Sequence, residues 1–348
     1  EQAAAFMADT FGRLTGKAGV CLSTLGPGVT NLMTGLADAN MDRAPVVAII
    51  GQGSTKRLHK ESHQIMDSIS MVQPISKWAQ TILTPENISE VVRKAFKVAE
   101  TEKPGLTVIE LPEDIAEEEI DEKPIKPILT RRPAADNRAI EDALDLIINS
   151  KNPIILAGNG TIRKRASNRL RVLVENLGIG VINTFMAKGA ISYKDKHSLF
   201  TIGLGSGDYN NLAIDESDLV IAIGYDLVEY SPSAWNRIEG GEKKIIHIDF
   251  SPAEIDKDYL PNVEVIGDLA GALYQLNKAL LERLNKTDLP LFNIESRQKL
   301  RSAMAKDLDK NDKDDSFPMK PQRILADVRK VMGGEDILLS DVGAHKMW

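Results

Sequence analysis

Short apolar runs alternate with longer amphipathic stretches along the 348 residues of this chain. The apolar run at residues 45–51 follows an amphipathic stretch at 30–39, and the run at 106–111 follows a helical pattern at 86–102. Strands buried on both faces of a parallel sheet have continuous apolar runs, and helices make the crossover connections between them. The alternation therefore predicts an α/β fold in which helices cover parallel sheets.

A second α/β unit is predicted after a stretch rich in acidic residues and proline. Pro124, Pro127 and Pro133 cannot continue a helix or a central strand, so they mark a linker. Beyond it, a helical pattern at 137–149 precedes apolar runs in the order expected of a doubly wound sheet. These runs are residues 153–157, 218–224, 244–249 and 263–266.

A third unit is predicted to begin near residue 317. Residues 285–316 are polar and rich in Lys, Asp and Asn, which is typical of a solvated helix and linker. A helical pattern at 321–332 and a strand pattern at 337–341 follow. The predicted organisation is a first domain at 1–116, a linker at 117–135, a central Rossmann-like domain at 136–284, a linker at 285–316 and the start of a third domain at 317–348.

The charge and composition of the chain argue against several kinds of partner. Its net charge is −7, from 43 Lys and Arg against 50 Asp and Glu, and the basic residues are dispersed, so no nucleic-acid groove is expected. No apolar stretch approaches the ~20 residues that span a bilayer, so no membrane partner is expected. The single cysteine, Cys21, lies in an apolar run, which predicts a buried thiol and suits the reducing cytoplasm.

The most specific motif of the chain combines Glu1 with the turn Gly26-Pro27-Gly28. A carboxylate at this distance before a Gly-Pro-Gly turn resembles the thiamine-diphosphate enzymes, and the resemblance to the acetolactate synthases among them covers nearly the whole chain. It implies an α/β architecture of pyrimidine-binding, central and diphosphate-binding domains. The chain is then expected to begin inside the first domain and to end inside the third, so residues 1–348 alone are expected to be inactive. Further segments that carry the resemblance are residues 16–21, 35–39 and 341–348.

The resemblance implies an acetolactate synthase, a transferase that condenses two pyruvate molecules to 2-acetolactate with loss of CO2. The new carbon–carbon bond would form through an enamine of thiamine diphosphate. Two alternatives stay open: another thiamine-diphosphate-dependent 2-keto acid decarboxylase or carboligase, and a non-catalytic truncated relative that acts as an interaction module. The product would enter either acetoin formation or branched-chain amino acid biosynthesis.

Glu1 is implied to be the catalytic residue. In the family a carboxylate hydrogen-bonds the aminopyrimidine ring and favours the imino tautomer, whose nitrogen removes the thiazolium proton. Gly26, Pro27, Gly28 and Asn31 are implied to bind the cofactor, since glycines let backbone approach a ring closely. The alternative for Glu1 is an ordinary exposed carboxylate at a frayed terminus. The alternative for residues 26–28 is a plain turn, with Thr30 or Asn31 capping the next helix.

The remaining implied site residues belong to two other segments. Gly343 and His345 correspond to a family segment near the cofactor diphosphate, although a surface histidine is an equal alternative at that position. Gln64 and the preceding His63 correspond to the substrate-side loop, where polar residues are otherwise simply solvated. A phenylalanine takes the place of His63 in the biosynthetic branch of the family.

Residues 224–236 of the central domain favour the flavin-independent branch. Biosynthetic relatives bind FAD there through an arginine and paired aspartates, whereas this chain has a Tyr-x-x-Val-Glu-Tyr pattern at 225–230 that is similar to the catabolic enzymes. FAD is therefore not expected. The turn at 158–160 has two glycines, but Arg163 stands where a dinucleotide fingerprint has its third glycine, so NAD binding is not expected either.

The cofactors implied for the complete enzyme are thiamine diphosphate and Mg2+. The family's metal signature, a Gly-Asp-Gly followed by an Asn, has no counterpart in residues 1–348, so no metal ligand is assigned here. Pyruvate is the implied small-molecule substrate. A homodimer or homotetramer is also implied, because the family holds its cofactor between chains.

Overall fold

The chain forms two compact units, Glu1–Arg131 and Arg132–Trp348. The computed structural model describes residues 1–121, 123–128, 131–163, 166–203, 209–236, 243–284, 288–341 and 343. None of the described helices has both the length and the apolar character needed to cross a membrane.

The first unit contains a four-stranded parallel sheet with the strand order β1-β2-β4-β3. The two inner strands, β2 and β4, consist mostly of buried residues, as their continuous apolar sequences predict. The strands are β1 Gly19–Ser23, β2 Val46–Gln52, β3 Trp78–Thr81 and β4 Leu106–Pro112, and the helices are α1 Gln2–Thr15, α2 Pro27–Met41, α3 Ser68–Val72, α4 Ile88–Glu100 and α5 Glu113–Ala116.

Cys21 on β1 is buried in the core that α1 and α2 form against the sheet. Burial raises the pKa of its thiol to about 11. The prediction of a buried thiol is therefore confirmed.

The second unit contains a six-stranded parallel sheet with the order β10-β9-β8-β5-β6-β7. The strands are β5 Pro153–Ala157, β6 Gly180–Asn183, β7 Ser198–Thr201, β8 Leu219–Ile223, β9 Lys244–Asp249 and β10 Val263–Ile266. The helices are α6 Asn137–Ile148, α7 Gly160–Arg163, α8 Ser167–Leu177, α9 Tyr209–Asp215, α10 Pro232–Trp235, α11 Leu269–Arg283, α12 Glu295–Asp309 and α13 Pro321–Val331.

The chain adds strands to this second sheet first on one side of β5 and then on the other. The chain first adds β6 and β7 on one side of β5, and then β8, β9 and β10 on the other side. The loops after β5 and β8 therefore diverge at a topological switch point, which is the place where doubly wound sheets bind ligands. Buried apolar residues cover both faces of the sheet.

Both sheets are parallel and covered by helices, so the predicted fold class is confirmed. The predicted strand at 337–341 is wrong, because those residues form no strand. Ile337 and Leu339 are 87% and 90% exposed. These apolar side chains therefore pack against no sheet among the described residues. Helix α2 begins at Pro27, earlier than predicted, and neither Thr30 nor Asn31 caps it.

Candidate active site

Glu1 and Asn31 come together where helices α1 and α2 begin. The Nδ2 atom of Asn31 lies 3.4 Å from Oε2 of Glu1, to which it donates a hydrogen bond. The two helices pack closely one turn further along, because Gly35 has no side chain: a Cβ there would lie only 2.6 Å from Cβ of Ala5. Glu1 is exposed and makes no side-chain capping bond to α1, so its carboxylate is accessible.

Gly26 is the N-cap of α2 and has a backbone conformation that only glycine adopts easily, with φ 59° and ψ −114°. Pro27 fits the first helical position, where no backbone N–H is needed. Gly28 follows in the same turn. The predicted cofactor-binding residues 26–28 therefore form a strand-to-helix turn about one helical turn from Asn31.

Gln64 lies directly against Gly26. A Cβ added to Gly26 would lie 2.7 Å from the carbonyl oxygen of Gln64 and 2.9 Å from its Cβ. Gln64 is exposed and has a left-handed backbone with φ 57°, which is unusual for a residue with a side chain. The structure thus brings the predicted substrate residue Gln64 to the predicted cofactor turn, while His63 is exposed beside it.

A buried polar pair anchors the loop that carries Gln64. Nε2 of Gln52 donates to Oε1 of Glu110 at 2.9 Å and to the carbonyl oxygen of Met66 at 2.9 Å. Oγ1 of Thr81 donates to the other oxygen of Glu110 at 2.7 Å. Burial raises the pKa of Glu110, against the effect of these hydrogen bonds. Strands β2, β3 and β4 are therefore tied to the loop at their carboxyl ends.

The other end of this loop is fixed by the acidic residues after β4. The backbone N–H and hydroxyl of Thr55 donate to Asp114 at 3.0 and 2.6 Å, and these bonds lower the pKa of Asp114 to about 2. Arg57 forms an ion pair with Glu113. Gln64 thus lies between two anchored ends.

Sequence reasoning missed Gln52 and Glu110. The available signal was a polar residue at the end of one apolar run and another inside the second run, at positions that parallel pairing places two residues apart on neighbouring strands. Gln52 ends β2, and Glu110 pairs with Ile50 of the same strand in the sheet register. A polar residue within a buried strand requires a hydrogen-bonding partner.

Replacing Gln52 by leucine is expected to lower the free energy of unfolding by about 2–4 kcal/mol, because Glu110 and the Met66 carbonyl both lose a buried donor. Urea unfolding of the full-length protein measures this change. Gln80→Leu is the control, since Gln80 is exposed and makes one bond, to its neighbour's carbonyl oxygen at 3.1 Å. Equal, small effects of both substitutions would contradict the anchoring role of Gln52.

The last residue of β1 has a buried polar atom without a hydrogen-bonding partner. Oγ of Ser23 is buried and has no hydrogen-bonding partner, and Ser23 ends β1 just before the turn at 26–28. Together with an accessible carboxylate at Glu1, the amide of Asn31 and the side-chain-free Gly26, this donor and acceptor set fits the aminopyrimidine half of thiamine diphosphate.

The diphosphate half of such a cofactor has fewer counterparts in the described residues. Among them, no three His, Cys, Asp or Glu side chains are grouped in a way that could hold a metal ion. Gly343 is described and partly exposed, whereas His345 lies outside the described residues.

In the second unit, Glu229 of the segment 224–236 is a buried carboxyl group at the switch point. Its carboxylate accepts hydrogen bonds from the backbone N–H groups of Asn159 and Asp226. Burial nevertheless raises its pKa to about 7. Tyr225 and Trp235 of the same segment are buried and pack edge to face, with ring centroids 5.9 Å apart.

The stability of the protein is expected to depend on pH through Glu229. Its folded pKa of about 7 exceeds the ordinary value of 4.5, so its contribution is complete below pH 4.5 and is lost as the pH rises to 7. This loss amounts to about 2 kcal/mol between pH 5 and pH 8. Urea unfolding at both pH values should show that Glu229→Gln lacks this part of the wild-type dependence. Identical pH dependence of the two proteins would contradict the assignment.

Comparison with known proteins gives matches over most of both units. Residues 1–71 match the thiamine pyrophosphate enzyme N-terminal TPP binding domain, and residues 140–276 match the thiamine pyrophosphate enzyme central domain. The chain is 38% identical to a probable acetolactate synthase large subunit of Methanocaldococcus jannaschii, over 100% of its own length and 60% of the relative's. It is 32% identical to an acetolactate synthase of Bacillus subtilis and to a catabolic acetolactate synthase of Raoultella terrigena, covering 60% and 62% of their lengths.

Proposed function

We propose, because this chain belongs to the thiamine pyrophosphate enzyme family, that it is part of an acetolactate synthase that condenses two pyruvate molecules with loss of CO2. The observation that carries this proposal is the contact between Glu1 and Asn31 beside the turn at 26–28. The similarity to acetolactate synthases supports it. Since the chain spans about three-fifths of the length of these relatives, the activity is proposed for the full-length protein.

The first unit would hold the pyrimidine half of the cofactor. Thiamine diphosphate, when bound, supplies a nucleophilic carbon and stores the electrons released with CO2. Glu1 would accept a hydrogen bond from the aminopyrimidine ring and hold the proton there. Asn31 would keep the Glu1 carboxylate oriented through their hydrogen bond. The backbone of Gly26, Pro27 and Gly28 would contact the ring.

Gln64 and His63 would lie on the substrate side. Gln64 is held against Gly26 by a loop anchored at both ends, and its amide would contact the pyruvate carboxylate or keto oxygen. Gly343 and His345 are proposed as diphosphate contacts. Mg2+ is proposed to bind with the diphosphate through residues of the full-length protein other than those described here.

The domain organisation follows the same proposal. Residues 1–116 would belong to the pyrimidine-binding domain, 136–284 to the central domain and 317–348 to the diphosphate-binding domain, with linkers at 117–135 and 285–316. A flavin-independent homodimer or homotetramer in the cytoplasm completes the proposal. The product would enter acetoin formation or branched-chain amino acid biosynthesis.

An assay of the full-length protein with pyruvate, thiamine diphosphate and Mg2+ tests the function. We expect 2-acetolactate as the main product, detected by its acid-catalysed conversion to acetoin, and one CO2 released for each acetolactate formed. Acetaldehyde as the main product would instead identify a decarboxylase. Absence of any turnover, with the cofactor shown to be bound, would contradict a catalytic role.

A further inference from the structure

Glu229 belongs to the loop that follows β8, at the switch point of the second unit. Its carboxylate contacts the loop that follows β5. Both of its oxygens lie within reach of the Asn159 N–H, at 3.0 and 2.9 Å. The N–H of Asp226 donates to Oε1 at 3.0 Å, and the hydroxyl of Thr184 donates to Oε2. Three different loops therefore converge on one carboxylate.

The neighbouring N–H groups of the turn after β5 are also occupied. Gly158 donates to the carbonyl oxygen of Ile223 at 2.9 Å, and Gly160 donates to that of Gly224 at 2.8 Å. The N–H of Asn159, which lies between them in sequence, donates to the carboxylate of Glu229. In dinucleotide-binding sheets the N–H groups of this turn bind the pyrophosphate instead.

The space between the two loops is closed by backbone contact. A Cβ added to Gly158 would lie 2.4 Å from the carbonyl oxygen of Gly224 and 2.4 Å from Cα of Tyr225. A pyrophosphate group therefore has no room between these loops, so the glycines at 158 and 160 serve close packing of backbone on backbone.

Arg163 is a charged neighbour of Glu229. Burial lowers the pKa of its guanidinium, and the nearby carboxylates of Asp249, Asp226 and Glu229 oppose that effect. Removal of Glu229 would leave two backbone N–H groups and a hydroxyl near this arginine, without the carboxylate that they surround.

We propose that the carboxyl group of Glu229 is an internal acceptor that takes the place of a nucleotide phosphate at the switch point and thereby makes the central unit independent of a dinucleotide cofactor. The inference does not depend on the carboligase activity. It makes Glu229 a determinant of cofactor specificity: the chain's own carboxylate uses the donor that an external phosphate would need.

Chemical rescue of Glu229→Ala in the full-length protein tests the proposal. The truncated side chain leaves a cavity the size of a small carboxylate, lined by the N–H groups of Asn159 and Asp226. We expect 100 mM formate, compared with 100 mM chloride, to raise the melting temperature of this variant by about 2–4 °C and to leave the wild type unchanged. If the variant folds only with formate present, a higher refolding yield in formate than in chloride is the same result.

Asp218→Ala is the matched control. Asp218 also accepts two backbone N–H groups, from Lys151 and Asn152 at 2.7 and 2.8 Å, but it is exposed, so water replaces it and no formate effect is expected. Equal formate effects in the two variants, or no effect on either, would overturn the proposal.

Binding of ADP tests the exclusion of nucleotides directly. We expect calorimetry of the wild-type protein to show no ADP binding up to millimolar concentration. Stoichiometric ADP binding that Arg163→Ala abolishes would overturn the proposal, as would flavin retained stoichiometrically through purification.

Discussion

Glu1→Gln in the full-length protein is expected to lower acetolactate formation by about 10²- to 10⁴-fold, the range in which a positioned acid–base group contributes. Glutamine preserves the shape of the side chain and can still accept a bond from Asn31, but its neutral amide is a much weaker acceptor than a carboxylate. The kcat with pyruvate measures the change, and thiamine diphosphate binding is measured alongside.

Folding should survive this substitution. Glu1 is exposed, makes no side-chain capping bond to α1, and accepts only a long side-chain hydrogen bond from Asn31 among the described residues. Glu90→Gln, at an exposed position on α4 of the same unit, is the control and should keep full activity. Unchanged turnover in Glu1→Gln would remove Glu1 from the reaction, and an equal loss in both variants would point to a general effect on the protein.

Gly26→Ala is expected to lower the free energy of unfolding by about 2–4 kcal/mol and to raise the KM for pyruvate. Two costs add: the strained backbone at φ 59°, and the clash of a new Cβ with the Gln64 carbonyl oxygen 2.7 Å away. Relief of the clash would displace Gln64 from the turn. Urea unfolding and initial-rate kinetics of the full-length protein measure the two effects.

Gly16→Ala separates these costs. Gly16 ends α1 with φ 70°, so alanine is strained there too, but nothing lies within 4 Å of the added Cβ. We expect a loss of about 1 kcal/mol and an unchanged KM. If Gly26→Ala cost no more than Gly16→Ala, the close contact between Gly26 and Gln64 would play no part in the site.

Each unit contains a buried carboxyl group that holds loops in place. Glu110 and Glu229 are buried carboxylates with raised pKa values, and each is held by donors from more than one loop or strand. Burial of a charge is costly, so such groups persist where they fix loop geometry. In the first unit the fixed loop carries Gln64, and in the second the fixed loops pack backbone on backbone at Gly158.

Local sequence patterns were sufficient to predict the long buried strands. The runs at β5 and β9 coincide with their predicted bounds, because a mostly apolar stretch flanked by turn residues has few other ways to be buried. The four-residue strands β3, β6 and β7 were not predicted. Each has only two apolar side chains, whereas the equally short β10, which was predicted, has three.

The candidate site residues Glu1, Gly26 and Gln64 were predicted from the sequence alone, through its resemblance to a family. Their contacts could not be read from it, because Glu1 meets Asn31 across 30 positions of sequence and Gly26 meets Gln64 across a loop. Such contacts depend on how closely helices and loops pack, which no local pattern encodes.

The sequence by itself determined the parallel α/β class, the buried cysteine and the order of the elements, since hydrophobic periodicity and turn residues act locally. Only the tertiary structure decided which polar groups meet. It brought Gln52 into hydrogen-bonding contact with Glu110. It also placed the Glu229 carboxylate where it accepts a hydrogen bond from Asn159, 70 positions away in the chain. A buried polar group must find its partner wherever the fold brings one, so its partner is a property of packing.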